Sequence, residues 1–214
     1  MARPRPRGSR SRRRAQRDTR ARVLIVCEGK KTEPTYFRDL IRIYRLTAAN
    51  VKIAGVGVDP QTVVDKAKER QETEQRTEDG YDRIFCVFDR DEHESFDTAS
   101  RDAAQHGFQL ARSWPCFEYW LLLHFALERS PYTRAGKKSP AANCVSKLKK
   151  HYPSYTKAGE GVFAALQSKL DTAIGNAQKA LRDATNTNEY NPSTEIHCLV
   201  EYLKSLRPNS VSGP

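Results

Sequence analysis

A length of 214 residues and a hydrophobic content of 38% allow one domain, or one core with a helical extension. Mean hydropathy is −0.74, low for a compact globule but not low enough for disorder throughout. No apolar run reaches membrane-spanning length and the N-terminus lacks a signal-peptide apolar region, so a soluble, cytoplasmic protein without membrane contact is expected.

The net charge of +11 is unevenly placed. Residues 1–22 hold ten Arg and one Asp, whereas the other 192 hold 27 Lys and Arg against 25 Asp and Glu. Residues 1–21 therefore read as a disordered, Arg-rich arm able to bind phosphate backbones by counterion release, or as a solubilising terminus. The five cysteines (Cys27, Cys86, Cys116, Cys144 and Cys198) are widely spaced and form no Cys-x-x-Cys. They are expected as reduced thiols rather than a disulfide frame or zinc site.

In chain order, Arg22–Cys27 reads as an uninterrupted apolar strand ending at Glu28-Gly29. Pro34 then opens a helix to about Tyr44, whose Phe37, Leu40, Ile41 and Tyr44 form a packing stripe. Val51–Val58 predicts a second strand, and Asp59-Pro60 an N-cap with Pro at the first helical position before a helix over Gln61–Arg76. Arg83–Phe88 is the third strand, Ser95–His106 a helix, and Phe108–Ala111 a short fourth strand. This βαβαβαβ order predicts a mostly parallel four-stranded sheet with right-handed crossovers.

From Trp114 onward the pattern is helical. A strongly apolar helix is predicted from Pro115 to Phe125, then a basic loop over Arg129–Ser139. Amphipathic helices follow at Ala141–Lys150, Val162–Ala184 and Thr194–Leu206. The expected organisation is a tail at 1–21, an α/β core at 22–112 and a helical layer or subdomain at 113–214.

Acidic residues end both buried strands: Glu28 after the first, and Asp89, Asp91 and Glu92 after the third. In open parallel sheets, strand carboxyl ends meet in one crevice where ligands bind. Asp89 and Asp91 alternate, so in extended backbone both face one way while Arg90 faces the other. Converging carboxylates repel at neutral pH, and an oxygen-ligated divalent cation relieves that repulsion. The competing reading is that Asp89 and Asp91 cap the following turn, which leaves the four acids after two buried strands without an account.

Glu118 sits among Phe117, Tyr119, Trp120 and Leu121, where a carboxylate is costly unless paired or bound. Glu33 at the start of the first helix is accounted for by the helix dipole alone. His93 is close enough in sequence to the acids to bind metal or carry a proton, or to be merely exposed; His124 reads as a core histidine. Gly29-Lys-Lys-Thr is not a Walker loop, because Leu24, inside a strand, stands where that loop needs its first Gly. An aspartyl-phosphatase reading of Asp89-Arg-Asp91 is a minor alternative, since that pair ordinarily follows a first strand.

Glu-Gly at the end of a first strand with Asp-x-Asp after a later strand resembles the Toprim domain of topoisomerases, primases and nucleases. More closely, Cys27-Glu-Gly-Lys-Lys-Thr-Glu-Pro-Thr-Tyr-Phe37, Phe88-Asp-Arg-Asp-Glu92, Pro115-Cys-Phe-Glu-Tyr-Trp-Leu-Leu-Leu-His-Phe125 and Asn191-Pro-Ser-Thr194 look like the RloB family. The resemblance implies a three-layer α/β/α Toprim-like core with a C-terminal helical extension. It also implies bacterial anti-phage or abortive-infection loci, with an ABC-type ATPase encoded nearby as a partner.

By Toprim analogy, Glu28 is the general acid/base, and Glu28, Asp89 and Asp91 hold Mg²⁺ or Mn²⁺. Glu118 joins the catalytic set as a family-motif residue, a further ligand or an orienter. Lys30, Lys31 and Arg90, with the Arg134–Lys138 loop, are expected to steer a nucleic-acid backbone. The expected function is a metal-dependent nuclease acting on RNA or DNA. The alternative is a non-catalytic Toprim-like module that binds nucleic acid or an ATPase.

Overall fold

Valine, leucine and isoleucine fill β1 (Val23–Cys27), and all five of its residues are buried, as a central parallel strand requires. In the computed structural model, which describes residues 21–47, 51–56, 59–75, 80–90 and 93–208, β1 lies between two parallel neighbours. These are β2 (Val51–Gly55) and β3 (Arg83–Asp89), and β3 pairs in turn with β4 (Gln109–Trp114), also parallel. The Arg-rich stretch 1–20 lies outside the described residues.

The sheet has five strands rather than the predicted four, in the order β2-β1-β3-β4-β5. The addition is β5 (Ser193–Thr194), antiparallel to β4. Its two residues are too few for any periodicity, and beside it the Arg112 carbonyl accepts from the Thr194 hydroxyl and the Glu195 N–H. The Arg112 guanidinium bonds both oxygens of Glu195, at 2.5 and 2.9 Å, and stacks against Trp114. A bidentate pair of this kind fixes geometry as well as contributing energy.

Side-chain parity divides the sheet into two faces. Leu24 and Val26 of β1 with Ile84, Cys86 and Phe88 of β3 pack against α2 (Pro60–Gln75) and α3 (Phe96–Gln105). Val23, Ile25 and Cys27 with Phe85 and Val87 pack against α1 (Thr32–Ile43) and the C-terminal helices. The result is three layers, α/β/α. One apolar cluster runs from Val23 to Leu203, so strands and C-terminal helices share a core.

Local capping follows the sequence at α2, where Asp59 accepts from the backbone N–H of Gln61 and the hydroxyl of Thr62, at 2.9 and 2.7 Å. The apolar segment after β4 differs from expectation. The α-helix there is short, α4 (Glu118–Leu122), and begins three residues after Pro115. Its lead-in turns tightly, with Tyr119 and Trp120 bonded to the carbonyls of Cys116 and Phe117, and the Phe117 N–H is turned outward to a carboxylate described below.

Next come α5 (Pro140–His151), capped by Ser139, and α6 (Val162–Leu166). A 3-10 turn at Gln167–Lys169 separates α6 from α7 (Leu170–Thr187), so the single helix predicted over 162–184 is two. The last helix is α8 (Ile196–Ser205). Among the described residues no helix is long and apolar enough to cross a membrane.

Candidate active site

The parallel register of β1 and β3 places Cys27 beside Val87, and the Glu28 N–H extends the ladder by donating to the Val87 carbonyl at 2.8 Å. The Glu28 side chain is thereby delivered to the end of β3, where its Oε2 accepts from the Asp89 N–H at 3.0 Å. Its Oε1 lies 2.9 Å from His93 Nε2. The carboxyl ends of two central strands have brought Glu28, Asp89 and His93 together.

Two further acids reach the same place. Glu33, in the first turn of α1, is buried and packs over Gly29. A Cβ on residue 29 would meet Glu33 Oε2 at 1.9 Å, so a larger residue there has to displace the end of the Glu33 side chain. Glu118, at the start of α4, is 3% exposed. Its Oε1 accepts from the Tyr155 hydroxyl at 2.9 Å and lies 3.7 Å from Lys157 Nζ.

Aromatic packing sets how α4 meets α1. Phe117 meets Tyr36 and Phe37 edge to face, and the Trp120 indole N–H donates to the Tyr36 hydroxyl at 2.9 Å. That contact aims the Phe117 N–H at Asp89 Oδ2, at 3.1 Å.

Together these groups line a cavity of about 420 Å³ walled by Glu28, Glu33, Asp89 and Glu118, with Lys30, Lys31 and Lys157 on its rim. Asp89 keeps partial surface exposure through the cavity, yet its carboxyl is surrounded by protein. That desolvation first, and then the charges of Glu33, Glu118 and Glu28, push its pKa well up. Glu33 is raised to about 7, chiefly by burial and then by Glu118 and Glu28. Lys157 is raised, with the charge of Glu118 as the largest cause.

Of the residues singled out in sequence, Glu28, Asp89, Glu118, Lys30 and Lys31 line this one cavity. Asp91 and Glu92 lie outside the described residues. Arg90 is turned elsewhere, stacked over the Phe96 ring at 5.1 Å and donating to the His93 carbonyl, so it fixes the turn after β3. His124 is a buried core group bonded to the Trp120 carbonyl, with its pKa lowered to about 4 by burial. The Cys27 and Cys86 thiols, inside strands, are pushed up by burial.

Three members had no assigned site role in the sequence. Glu33 was accounted for by the helix dipole, yet it is a wall of the cavity. Tyr155 and Lys157 come from the strap between α5 and α6, 37 or more residues beyond Glu118. The strap is tied back by the Ala158 N–H donating to Thr32 Oγ1, across 126 residues of chain, and by the Gly161 N–H donating to Asp39. No local pattern announces such a contact.

Among the described residues, no three His, Cys, Asp or Glu groups are gathered closely enough to hold a metal ion. The acidic donors facing the cavity are all carboxylate oxygens, the donor type that a hard divalent cation takes. Burial first and their mutual repulsion second raise Asp89 and Glu33, and a cation would relieve the repulsion. The donor chemistry fits Mg²⁺ or Mn²⁺.

A family model described as RloB-like protein matches residues 23–203 of the chain. No curated protein and no solved structure matches.

Proposed function

The chain belongs to the RloB-like protein family, and from that premise we propose that its acidic cavity is the site of a metal-dependent nuclease hydrolysing phosphodiesters in RNA or DNA. The observation that carries this reading is the bond from the Asp89 N–H to Glu28 Oε2, which joins two strand-end acids inside a cavity rimmed by Lys30, Lys31 and Lys157. Acids below and lysines above is the polarity that a phosphodiester needs: cations meet the non-bridging oxygens, and a carboxylate stands ready for the proton of water.

Glu28, Asp89 and Asp91 would hold Mg²⁺ or Mn²⁺, which when bound would offset the charge of the phosphate oxygens. Glu28 Oε1, on the His93 side of the carboxylate, takes the proton from the attacking water as its oxygen bonds phosphorus. The scissile P–O bond breaks and Glu28 passes that proton on to the leaving oxygen. Glu118, held by Tyr155, orients Lys157 at the rim. The biological setting we propose is bacterial anti-phage defence, with an ABC-type ATPase as partner.

A second reading, a non-catalytic module that binds nucleic acid or an ATPase, draws on the absence of a three-donor metal cluster among the described residues. Cleavage of labelled tRNA, single-stranded and duplex substrates with Mg²⁺ or Mn²⁺ separates the two. Wild type should cleave at least one substrate, and Asp89→Ala and Glu28→Gln should cleave it at a strongly reduced rate. A wild type that cleaves none, with or without an ATPase partner, leaves the binding module standing.

A further inference from the structure

We propose that the tight turn at 156–159 is a phosphate clamp, in which the contact between Ala158 and Thr32 positions Lys157 so that its ammonium meets a non-bridging oxygen of the scissile phosphate. The catalytic part of this role rests on the nuclease reading above; the phosphate contact itself does not.

The turn is the first observation. The Gly159 N–H donates to the Thr156 carbonyl at 3.1 Å, so Lys157 and Ala158 are its two corners. A Cβ on residue 159 would meet that carbonyl at 3.0 Å and the Thr156 hydroxyl at 2.8 Å, so the chain folds back closely here. The second corner is left-handed: Ala158 has φ +64°, a conformation ordinarily left to Gly or Asn at this place in a turn. An alanine stays there only where its surroundings hold it, and such residues cluster at functional sites. The holding contact is its own N–H, which donates to Thr32 Oγ1 at 3.1 Å, and Thr32 itself lines the acidic cavity. Before the turn, Tyr155 is buried with its hydroxyl on Glu118; after it, the Gly161 N–H bonds Asp39. The corner is fixed from both sides and from within.

The second observation is what that corner carries. Lys157 Nζ stands 3.7 Å from Glu118 Oε1, farther than the roughly 2.7–2.9 Å of a hydrogen-bonded ammonium and carboxylate. The oxygen already accepts from Tyr155, and the lysine side chain is 68% exposed. Charge holds the ammonium near the acids while its N–H donors are left for a ligand.

A donor already in place matters most as charge grows. When the water oxygen bonds phosphorus and the leaving P–O bond breaks, negative charge builds on the non-bridging oxygens, and a fixed cation stabilises it without reorganising. Lys157 donates hydrogen bonds in that step and forms or breaks no covalent bond. Lys30 and Lys31, exposed beside the start of α1, serve the ground-state complex. Thr32 and Ala158 are positioning residues.

Cleavage kinetics of the full-length protein in Mg²⁺ divide these roles. Lys157→Ala should lower kcat by about a hundredfold and change KM little, the signature of an interaction made in the transition state. K30A/K31A should chiefly raise KM. Thr32→Val removes the acceptor for the Ala158 N–H and should lower kcat by about tenfold or more, since a small misplacement of a catalytic group is enough; Thr32→Ser should restore most of it. Ala158→Gly relaxes the left-handed corner, so kcat should fall while the melting temperature holds or rises. A merely structural turn would not separate the two.

The phosphate contact is read without catalysis, in Ca²⁺ and again in EDTA, by following acetylation of Lys157 under saturating dT20 or U20. At least one strand should slow it several-fold and leave the exposed Lys179 on α7 unchanged, and Thr32→Val should lose most of that protection. A Lys157→Ala enzyme with wild-type kcat, unchanged acetylation under bound oligonucleotide, or no binding of either strand overturns the clamp. Wild-type kcat in both Thr32→Val and Ala158→Gly overturns the positioning. Protection of Lys157 in a protein that cleaves nothing keeps the phosphate contact and discards the nuclease.

Discussion

The Asp89 backbone N–H donates to Glu28 Oε2 at 3.0 Å, so one strand end holds the side chain of the other. The bond closes the β1–β3 ladder with a carboxylate instead of a carbonyl and leaves Glu28 Oε1 facing His93 at 2.9 Å. Replacing that carboxylate by its isosteric amide keeps an acceptor for the N–H while removing the base. Glu28→Gln should therefore lower cleavage by about 10²-fold or more while the melting temperature stays level or rises. A variant that cleaves like wild type would remove Glu28 from proton transfer.

Gly29 lies directly beneath the end of the Glu33 side chain. Gly29→Ala drives its Cβ into Glu33 Oε2, with 1.9 Å between them, and should cost about 1–3 kcal/mol as an overpacked site. Shortening the obstructing side chain tests the cause: G29A/E33A should be more stable than Gly29→Ala. Urea midpoints of the two single variants and the double give the coupling directly. Additive losses would mean that residue 29 is constrained by something else.

Tyr155 supplies the hydrogen bond that makes a buried carboxylate tolerable at Glu118. Tyr155→Phe keeps the ring and deletes the donor, leaving Glu118 Oε1 with Lys157 at 3.7 Å. The expected loss is about 1–3 kcal/mol for an unsatisfied buried acceptor, read by urea denaturation. In Y155F/E118Q the neutral amide should return part of that loss.

The metal-free protein should lose stability as pH rises through the acidic range. Glu33 has an ordinary value of 4.5 and about 7 in the fold, so the folded state keeps its proton where the unfolded chain has released it. Its contribution is complete below about 4.5 and gone above about 7, with an upper bound of about 3 kcal/mol at 1.36 kcal/mol per pKa unit. Asp89, raised by burial and by the same neighbours, acts in the same direction. Melting temperature should fall between pH 4.5 and 7, less steeply in Glu33→Gln, and added Mg²⁺ should flatten the fall. Identical slopes in wild type and Glu33→Gln would exclude Glu33 as the titrating group.

The strands and acids were legible because a buried parallel strand must be apolar on both faces and must stop abruptly. Val23–Cys27 followed by Glu28, and Ile84–Phe88 followed by Asp89, show that stop in one dimension. Asp59-Pro60 likewise announced α2, because an N-cap satisfies its own neighbours. The family block at Pro115–Glu118 pointed to Glu118.

Tertiary structure alone decided what surrounds them. Glu33 looked like a dipole residue because its first-turn position says nothing of what it will face, and only the turn at Gly29 folds it into the wall. Where Arg90 lies was also settled by packing, which lays its guanidinium over the Phe96 ring. Tyr155 and Lys157 arrive by a strap whose tie to Thr32 closes a loop of 126 residues, and contacts that distant leave no periodicity. Local sequence determined which residues end the strands, since backbone hydrogen bonding and burial are enforced strand by strand. The partner of each charge was determined by which chain segments the core brought together, and that choice is made in three dimensions.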